Sequence, residues 1–239
     1  MSQIIQNIRT ELKDNIEELA RKSVPRFFKE EVKYYGVKGA IIKKIAKRYW
    51  KAIKGFEKKE IFKLCEELYS SDYIEEAGIV SFWIPNLVSQ LEPDDLALFK
   101  EWIEKYINNW AKCDGLCNHT IGGFIEKYPE RLKDLKEWAK SNNRWMKRAA
   151  AVSLIIPAKK GRFLTEILEI ADLLLTDKDD MVQKGYGWML KEASRQHQKD
   201  VFDYVIKNRM IMPRIALRYA IELMPKELKT VAMERKGRS

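Results

Sequence analysis

The residues of this chain best suited to chemistry lie between 109 and 124, in the run Asn109-Trp110-Ala111-Lys112-Cys113-Asp114-Gly115-Leu116-Cys117-Asn118-His119-Thr120-Ile121-Gly122-Gly123-Phe124. Trp110 and Asp114 stand at i, i+4, which in a helix puts an indole and a carboxylate on one face, a turn apart. An electron-rich ring beside an anion is a poor start for a core. It suits a ligand that carries, or develops, positive charge. Cys113, Cys117 and His119 offer three metal-ligand types nearby, but no fourth ligand follows at an established spacing, so the cysteines read as small packing residues and no metal is expected. His119 and His197 lack a Ser or Cys partner arrangement for acyl transfer. Gly122-Gly123 follows no strand and is not a nucleotide-binding fingerprint.

Two more stretches stand out. In the segment from Trp145 to Ile156, Arg148 falls among Trp145, Ala149, Val152 and Ile156 on the apolar side of a helix. An arginine there needs a partner: an internal carboxylate, a helix end, or a phosphate that its planar fork would match. In Gln183-Lys184-Gly185-Tyr186-Gly187-Trp188-Met189-Leu190-Lys191-Glu192, two glycines each cost a helix about 1 kcal/mol relative to alanine. Gly185 sits one turn before Trp188 and clears space for a ligand against the indole, or for tight helix packing. Lys184, Lys191 and Arg195 flank this helix as an expected phosphate-facing rim, and Arg209, Arg214 and Arg218 continue it. Trp50, Trp83, Trp102 and Trp138 read as core or helix-packing residues.

The elements that position these residues all carry helical period. Apolar stripes predict helices over 4–20 (Ile5, Ile8, Leu12, Ile16, Leu19), 38–53, 57–69 and 73–91, and another after Pro93-Asp94-Asp95, whose proline and acids suit a first turn. Further helices are expected at about 119–128, 129–140, 144–156, 160–175, 179–195, 197–208, 213–224 and 225–236. No segment alternates like a strand, and the breaks are short. Helix pairs at roughly 35–40 residues match a HEAT-like solenoid of antiparallel pairs. The expectation is an all-α, curved array forming one domain over residues 1–239, with an all-helical globule as the competing arrangement.

Composition fits that fold. The 239 residues are 46% hydrophobic and 33% charged, with three cysteines, too few for a disulfide framework. No run approaches the roughly 18–20 apolar residues of a membrane span, and the amphipathic start, with Arg9, Glu11, Lys13 and Asp14, is unlike a signal peptide. A cytoplasmic protein is expected. The net charge of +10 is uneven: 16 cations to 8 anions in residues 1–60, 9 to 15 in 61–140, and 20 to 12 in 141–239. Two basic arms about an acidic centre suit a polyanion such as duplex DNA, or reflect lysine-rich solubility.

Together the motifs carry a resemblance. Trp110-x-x-x-Asp114, Trp145-Met146-Lys147-Arg148-Ala149-Ala150 and the 183–192 stretch, with Phe27-Phe28-Lys29, Tyr35-Gly36-Val37-Lys38 and Ala216-Leu217-Arg218-Tyr219-Ala220-Ile221-Glu222 outside them, resemble the AlkD-type family of bacterial alkylpurine DNA glycosylases. The resemblance implies a HEAT-like solenoid with a concave basic face on duplex DNA, and hydrolysis of the N-glycosidic bond of cationic alkylpurines (3-methyladenine, 7-methylguanine) without a cofactor, as a monomer. It implies that Asp114 stabilises the cationic sugar and positions water, that Trp110 and Trp188 line the deoxyribose, and that Arg148 holds a phosphate. Lys147, Lys184, Lys191, Arg195, Arg209 and Arg214 join as DNA contacts. Phe27 falls where the family prototype has a tyrosine near the damaged pair, and Asn109 where it has a further tryptophan. The alternative from another class is a non-catalytic HEAT-like scaffold that binds nucleic acid or a protein.

Overall fold

A computed structural model describes residues 2–234 and is all-α, with no strand among the described residues. The chain divides into two compact units, Met1–Leu116 and Cys117–Ser239.

The first unit runs α1 (Ser2–Asp14), α2 (Glu18–Ser23), α3 (Gly39–Ile53), α4 (Lys58–Ser70), α5 (Ile74–Trp83), α6 (Asp95–Tyr106) and α7 (Trp110–Leu116). Helix α5 lies between α3 and α7, and α4 packs on α1, α5 and α6. Trp83 at the end of α5 ties this layer together by donating its indole N–H to the Ala46 carbonyl at 2.9 Å. The core under it includes Ile45, Ile53, Leu64, Leu68, Ile79, Phe99 and Trp102.

The second unit opens on a π-helical turn, Cys117–Ile121, that leads into α8 (Gly122–Lys127). There follow α9 (Leu132–Ala139), α10 (Arg144–Val152), α11 (Ile155–Lys159), α12 (Leu164–Leu174), α13 (Asp180–Ala193), α14 (Gln198–Asn208), α15 (Arg214–Ala220) and α16 (Lys226–Met233). Helix α13 is central, packed against α10, α11, α12 and α15.

Several expected helices stop short, each for a local reason. The 4–20 stripe is real only through Leu12. The helix ends at Asp14, Glu17 donates its N–H to the Gly36 carbonyl, and Ile16 and Leu19 are left 43% and 81% exposed. Residues 84–90 tighten into a 3-10 turn around Pro85. The 144–156 helix breaks after Val152 because Pro157 has no N–H for the Ser153 carbonyl and would clash with it in a continuous helix. Helix α12 starts only at Leu164, after Phe163 in the left-handed region at φ 61°. Helix α15 ends at Ala220, and the last two residues of the 225–236 expectation lie outside the described residues. Trp83, Trp102 and Trp138 are buried as core, whereas Trp50 is half-buried and lines a surface cavity.

Candidate active site

Trp110 is the first residue of α7, and the residue before it explains why the helix begins there. Asn109 is fully buried. Its carbonyl accepts the Cys113 N–H at 3.2 Å, its side-chain Oδ1 accepts the Lys112 N–H at 3.1 Å, and its Nδ2 donates to Asn108 Oδ1 at 3.0 Å. A side-chain acceptor for a first-turn N–H is what a helix start lacks otherwise. The departure from tryptophan at this position therefore supplies a cap.

The indole is then pinned by edge and by face. Its Nε1–H donates to the Phe27 carbonyl at 3.1 Å, and the Phe28 ring stacks on it at 5.4 Å and 19°. Phe27 itself closes a 3-10 turn, Val24–Arg26, and stands 68% exposed. Asp114 follows Trp110 by one turn and is half-buried. Beside it, Gly115 meets α5 so closely that an added Cβ would lie 3.0 Å from the Ser81 Cβ and closer still to its hydroxyl. The helix that carries the indole and the carboxylate is thus fixed at its start and along one side.

Lys112, between them in sequence, has its side chain 1% exposed and ion-paired to Asp72, and it donates to Asn108 Oδ1 at 3.0 Å. Burial pulls the Lys112 ammonium below the usual lysine range, against the pull of Asp72. Burial pushes the Asp72 carboxyl up, but the hydrogen bonds from Lys112 and Asn108 outweigh it and hold Asp72 below the usual carboxylate range. The pair anchors α7 to the turn before α5.

The segment that supplies Phe27 and Phe28 is strapped down by two buried acids in the first turn of α5. Glu75 accepts the backbone N–H groups of Tyr35, Gly36 and Val37 at 3.0, 2.8 and 3.2 Å. Glu76 accepts the Tyr35 hydroxyl at 2.7 Å and pairs with Arg9 at 3.1 Å. Gly36 has φ +94°, and a Cβ there would lie 2.7 Å from the Arg21 Cβ, so only glycine fits the strap. The sequence reading missed Phe28, Glu75 and Glu76 as site-building residues. The available signal was an acid pair inside the apolar helix Ile74-Glu75-Glu76-Ala77-Gly78-Ile79-Val80.

In the second unit, Arg148 is 5% exposed and Nη1 donates to the Met181 carbonyl in the first turn of α13 at 2.6 Å. Gly185 makes the room: its added Cβ would meet the Arg148 Cγ at 3.3 Å and Val152 Cγ1 at 3.5 Å. Of the two readings of Gly185, the packing one fits: the space beside Trp188 is filled by the arginine stem and Val152. Gly187 clears the approach of α15, since a Cβ would lie 2.8 Å from the Ala216 carbonyl oxygen and from the Tyr219 Cβ. Trp188 is half-buried on the same helix. Asp179 caps α13 by accepting from Met181 N at 2.8 Å and Val182 N at 3.2 Å, and it pairs with Arg144 Nε at 2.8 Å.

Most of the expected basic rim is already partnered, Arg218 being exposed. Lys147 pairs with Asp177, Lys184 with Asp180 at 3.1 Å, Lys191 with Glu222 at 3.2 Å and Arg195 with Glu192 at 2.5 Å. Arg209 donates to the Val231 carbonyl at 2.7 Å and Arg214 to the Met233 carbonyl at 3.0 Å. Cys113 and Cys117 are fully buried and His119 is exposed. Among the described residues, no group of three or more His, Cys, Asp or Glu is placed to hold a metal, and no helix is long and apolar enough to cross a membrane.

Trp110 and Asp114 therefore belong to one site-bearing helix of the first unit, and Arg148 and Trp188 to a packed helix pair of the second. Comparison with known proteins bears on what such a chain is. A solved structure of a predicted DNA alkylation repair enzyme from Enterococcus faecalis is similar in fold, with a TM-score of 0.78 at 14% identity, over 89% of this chain and 98% of that one. No curated protein matches the chain. The sequence model of the DNA alkylation repair enzyme family matches residues 8–224, so the chain belongs to that family.

Proposed function

We propose that the protein is a DNA glycosylase that hydrolyses the N-glycosidic bond of cationic alkylated purines, 3-methyladenine and 7-methylguanine, in duplex DNA. The observation that carries this reading is the pinned Trp110, with Asp114 one turn on, in a member of a DNA alkylation repair family. An alkylated purine is already a cation and leaves as a neutral base, so no strong general acid is needed. As the bond between C1′ and the purine nitrogen lengthens, positive charge moves onto the sugar. Asp114 stabilises that developing charge and orients the water that adds to C1′; its proton leaves to solvent, and the products are free base and an abasic site. Trp110 and Trp188 line the deoxyribose with ring faces that favour a cation.

A fixed carboxylate acts on the transition state more than on the ground state, which is the condition for catalysis. Removing one such electrostatic contact costs about 2–4 kcal/mol elsewhere. Arg148, aimed by its bond to Met181, is the candidate for holding a phosphate next to the lesion, and Phe27 for stacking near the damaged pair. Lys147, Lys184, Lys191, Arg195, Arg209 and Arg214 would add sequence-independent affinity once phosphate replaces their internal partners.

The test is release of free 7-methylguanine from methylated duplex DNA by the wild type and by Asp114→Asn. The expected outcome is release by the wild type and a rate lower by roughly 10²–10³-fold in the variant. No release by the wild type would end the glycosylase reading, and equal release by both would remove Asp114 from the chemistry.

A further inference from the structure

Lys147, Lys184, Lys191 and Arg195 of the second unit carry internal partners, but a lysine row on helix α3 of the first unit does not. It reads Gly39-Ala40-Ile41-Ile42-Lys43-Lys44-Ile45-Ala46-Lys47-Arg48-Tyr49-Trp50-Lys51-Ala52-Ile53. Arg48 pairs with Glu11 at 2.7 Å. Among the described residues, Lys43, Lys47 and Lys51 have no carboxylate within ion-pair reach, and all three are exposed. They recur at i, i+4 and i+8, so they form one ladder with rungs about 6 Å apart.

Beside this ladder is a cavity of about 250 Å³ lined by Ala46, Lys47, Trp50, Lys51, Phe82 and Asn86. Trp50 is half-buried, Phe82 is 38% exposed, and the Lys43 ammonium sits 5.9 Å from the Phe82 ring centre. Lysine stems laid along aromatic surface keep their heads in water with fewer free rotamers. Asn86 folds back on the preceding turn, its Nδ2 donating to the Phe82 and Trp83 carbonyls at 2.7 and 3.1 Å. Helix α5, which supplies Phe82, packs α3 on one side and α7, with Trp110 and Asp114, on the other.

We infer that Lys43, Lys47 and Lys51, held on the Trp50–Phe82 floor, form a track for the phosphodiester backbone of duplex DNA outside the Trp110–Asp114 site. The inference deepens the DNA reading above and rests on it. The ladder suits a backbone better than an acidic peptide. One DNA strand offers a charge about every 3.4 Å of its axis, so every rung finds a phosphate in any sequence and register. A peptide would have to match its carboxylates to the rungs. Free ammonium groups also bind phosphate without first giving up an internal partner.

The experiment is fluorescence anisotropy of an undamaged, labelled duplex with the full chain across a range of KCl. It compares the wild type with Lys43→Gln/Lys47→Gln/Lys51→Gln. A control with the same charge change is Lys133→Gln/Lys136→Gln/Lys140→Gln on and just after α9, where Lys136 pairs with Glu169 and Lys140 with Glu137. All six positions are outside the buried core, and circular dichroism melts check that both variants fold. The track predicts that the first triple variant loses about 2–3 from the slope of log affinity against log salt, with roughly ten-fold or greater weakening near 0.1 M salt, while the control stays near wild type. An unchanged slope in the first variant would overturn the track. Equal losses in both would reduce it to net charge and also overturn it. A loss seen with a single-stranded oligonucleotide but not with the duplex would refute the duplex assignment. A wild type that binds no duplex would instead bring down the DNA reading itself, and that failure is distinct from the others.

Discussion

Trp110 is held by an edge contact to the backbone of Phe27 and a face contact to Phe28, and only the second can be removed by substitution. A stacked aromatic pair is worth about 0.5–1.5 kcal/mol beyond burial. If the indole must lie at a set angle to the sugar, Phe28→Ala should slow single-turnover 7-methylguanine release by about ten-fold, while Phe28→Tyr keeps the stack and most of the rate. Equal rates in the two variants would detach the stack from function. Asp72 and Lys112 make a second residue-scale prediction. Because hydrogen bonds hold the Asp72 pKa below its ordinary value, the unfolded chain takes up the proton first as the pH falls. The pair's stabilisation is full from about pH 5 upward, above the ordinary carboxylate value, and is lost as the pH drops through the folded-state value. Asp72→Asn strands a buried ammonium. The cost at pH 7 should be about 2 kcal/mol, less than the roughly 3–5 of a fully buried pair because the Asp72 side chain is 43% exposed. Urea unfolding of both proteins at pH 7 and at successively lower pH checks the size and its decline in acid.

At the scale of elements, one cap and one close approach decide where the site-bearing helices lie. Asn109→Ala removes the α7 cap and should cost about 1 kcal/mol, more than an exposed asparagine would, since the site is fully buried and the Lys112 N–H loses its acceptor. Gly187→Ala gains about 1 kcal/mol of helix propensity but drives a methyl group to 2.8 Å from the Ala216 carbonyl. Thermal melts should therefore show net destabilisation, and an unchanged or raised Tm would contradict the tight α13–α15 seam. These elements were legible in sequence to different degrees. Stripes such as Ile61, Leu64, Cys65 and Leu68 follow directly from period, because one buried face is all that a paired helix requires. The break at Val152 was also visible in Pro157, but apolar period alone masked it. The glycines of α13 were legible as space-makers, not as to what fills the space, since period says nothing of which side chain arrives from α10. Phe28 was illegible because it joins Trp110 from 82 positions away, and the Glu75 strap was marked only by an acid pair in an apolar helix, with nothing local to name its partners about 40 positions upstream.

For the whole molecule, net charge overstates the charge that DNA can use. The chain carries +10, yet Lys147, Lys184, Lys191 and Arg195 each sit against a carboxylate. A duplex must displace that carboxylate or approach it, so affinity depends on how cheaply the internal pairs open. Exposed pairs are worth about 0–1 kcal/mol, so the exchange is feasible but not free. Removing the competing acid should then strengthen binding. Glu222 is 54% exposed and holds Lys191, whose ammonium also lies 6.0 Å from the Tyr219 ring centre and so keeps a resting place without the acid. Glu222→Gln should raise affinity for an undamaged duplex by roughly two- to five-fold near 0.1 M salt, with a steeper salt slope. Glu101→Gln, which frees Lys105 on α6 with the same change in net charge, is the reference. A gain confined to Glu222→Gln places Lys191 among the groups that meet phosphate. Equal gains in both would mean that the duplex senses only the total charge, and Lys191 would then lose its assigned role.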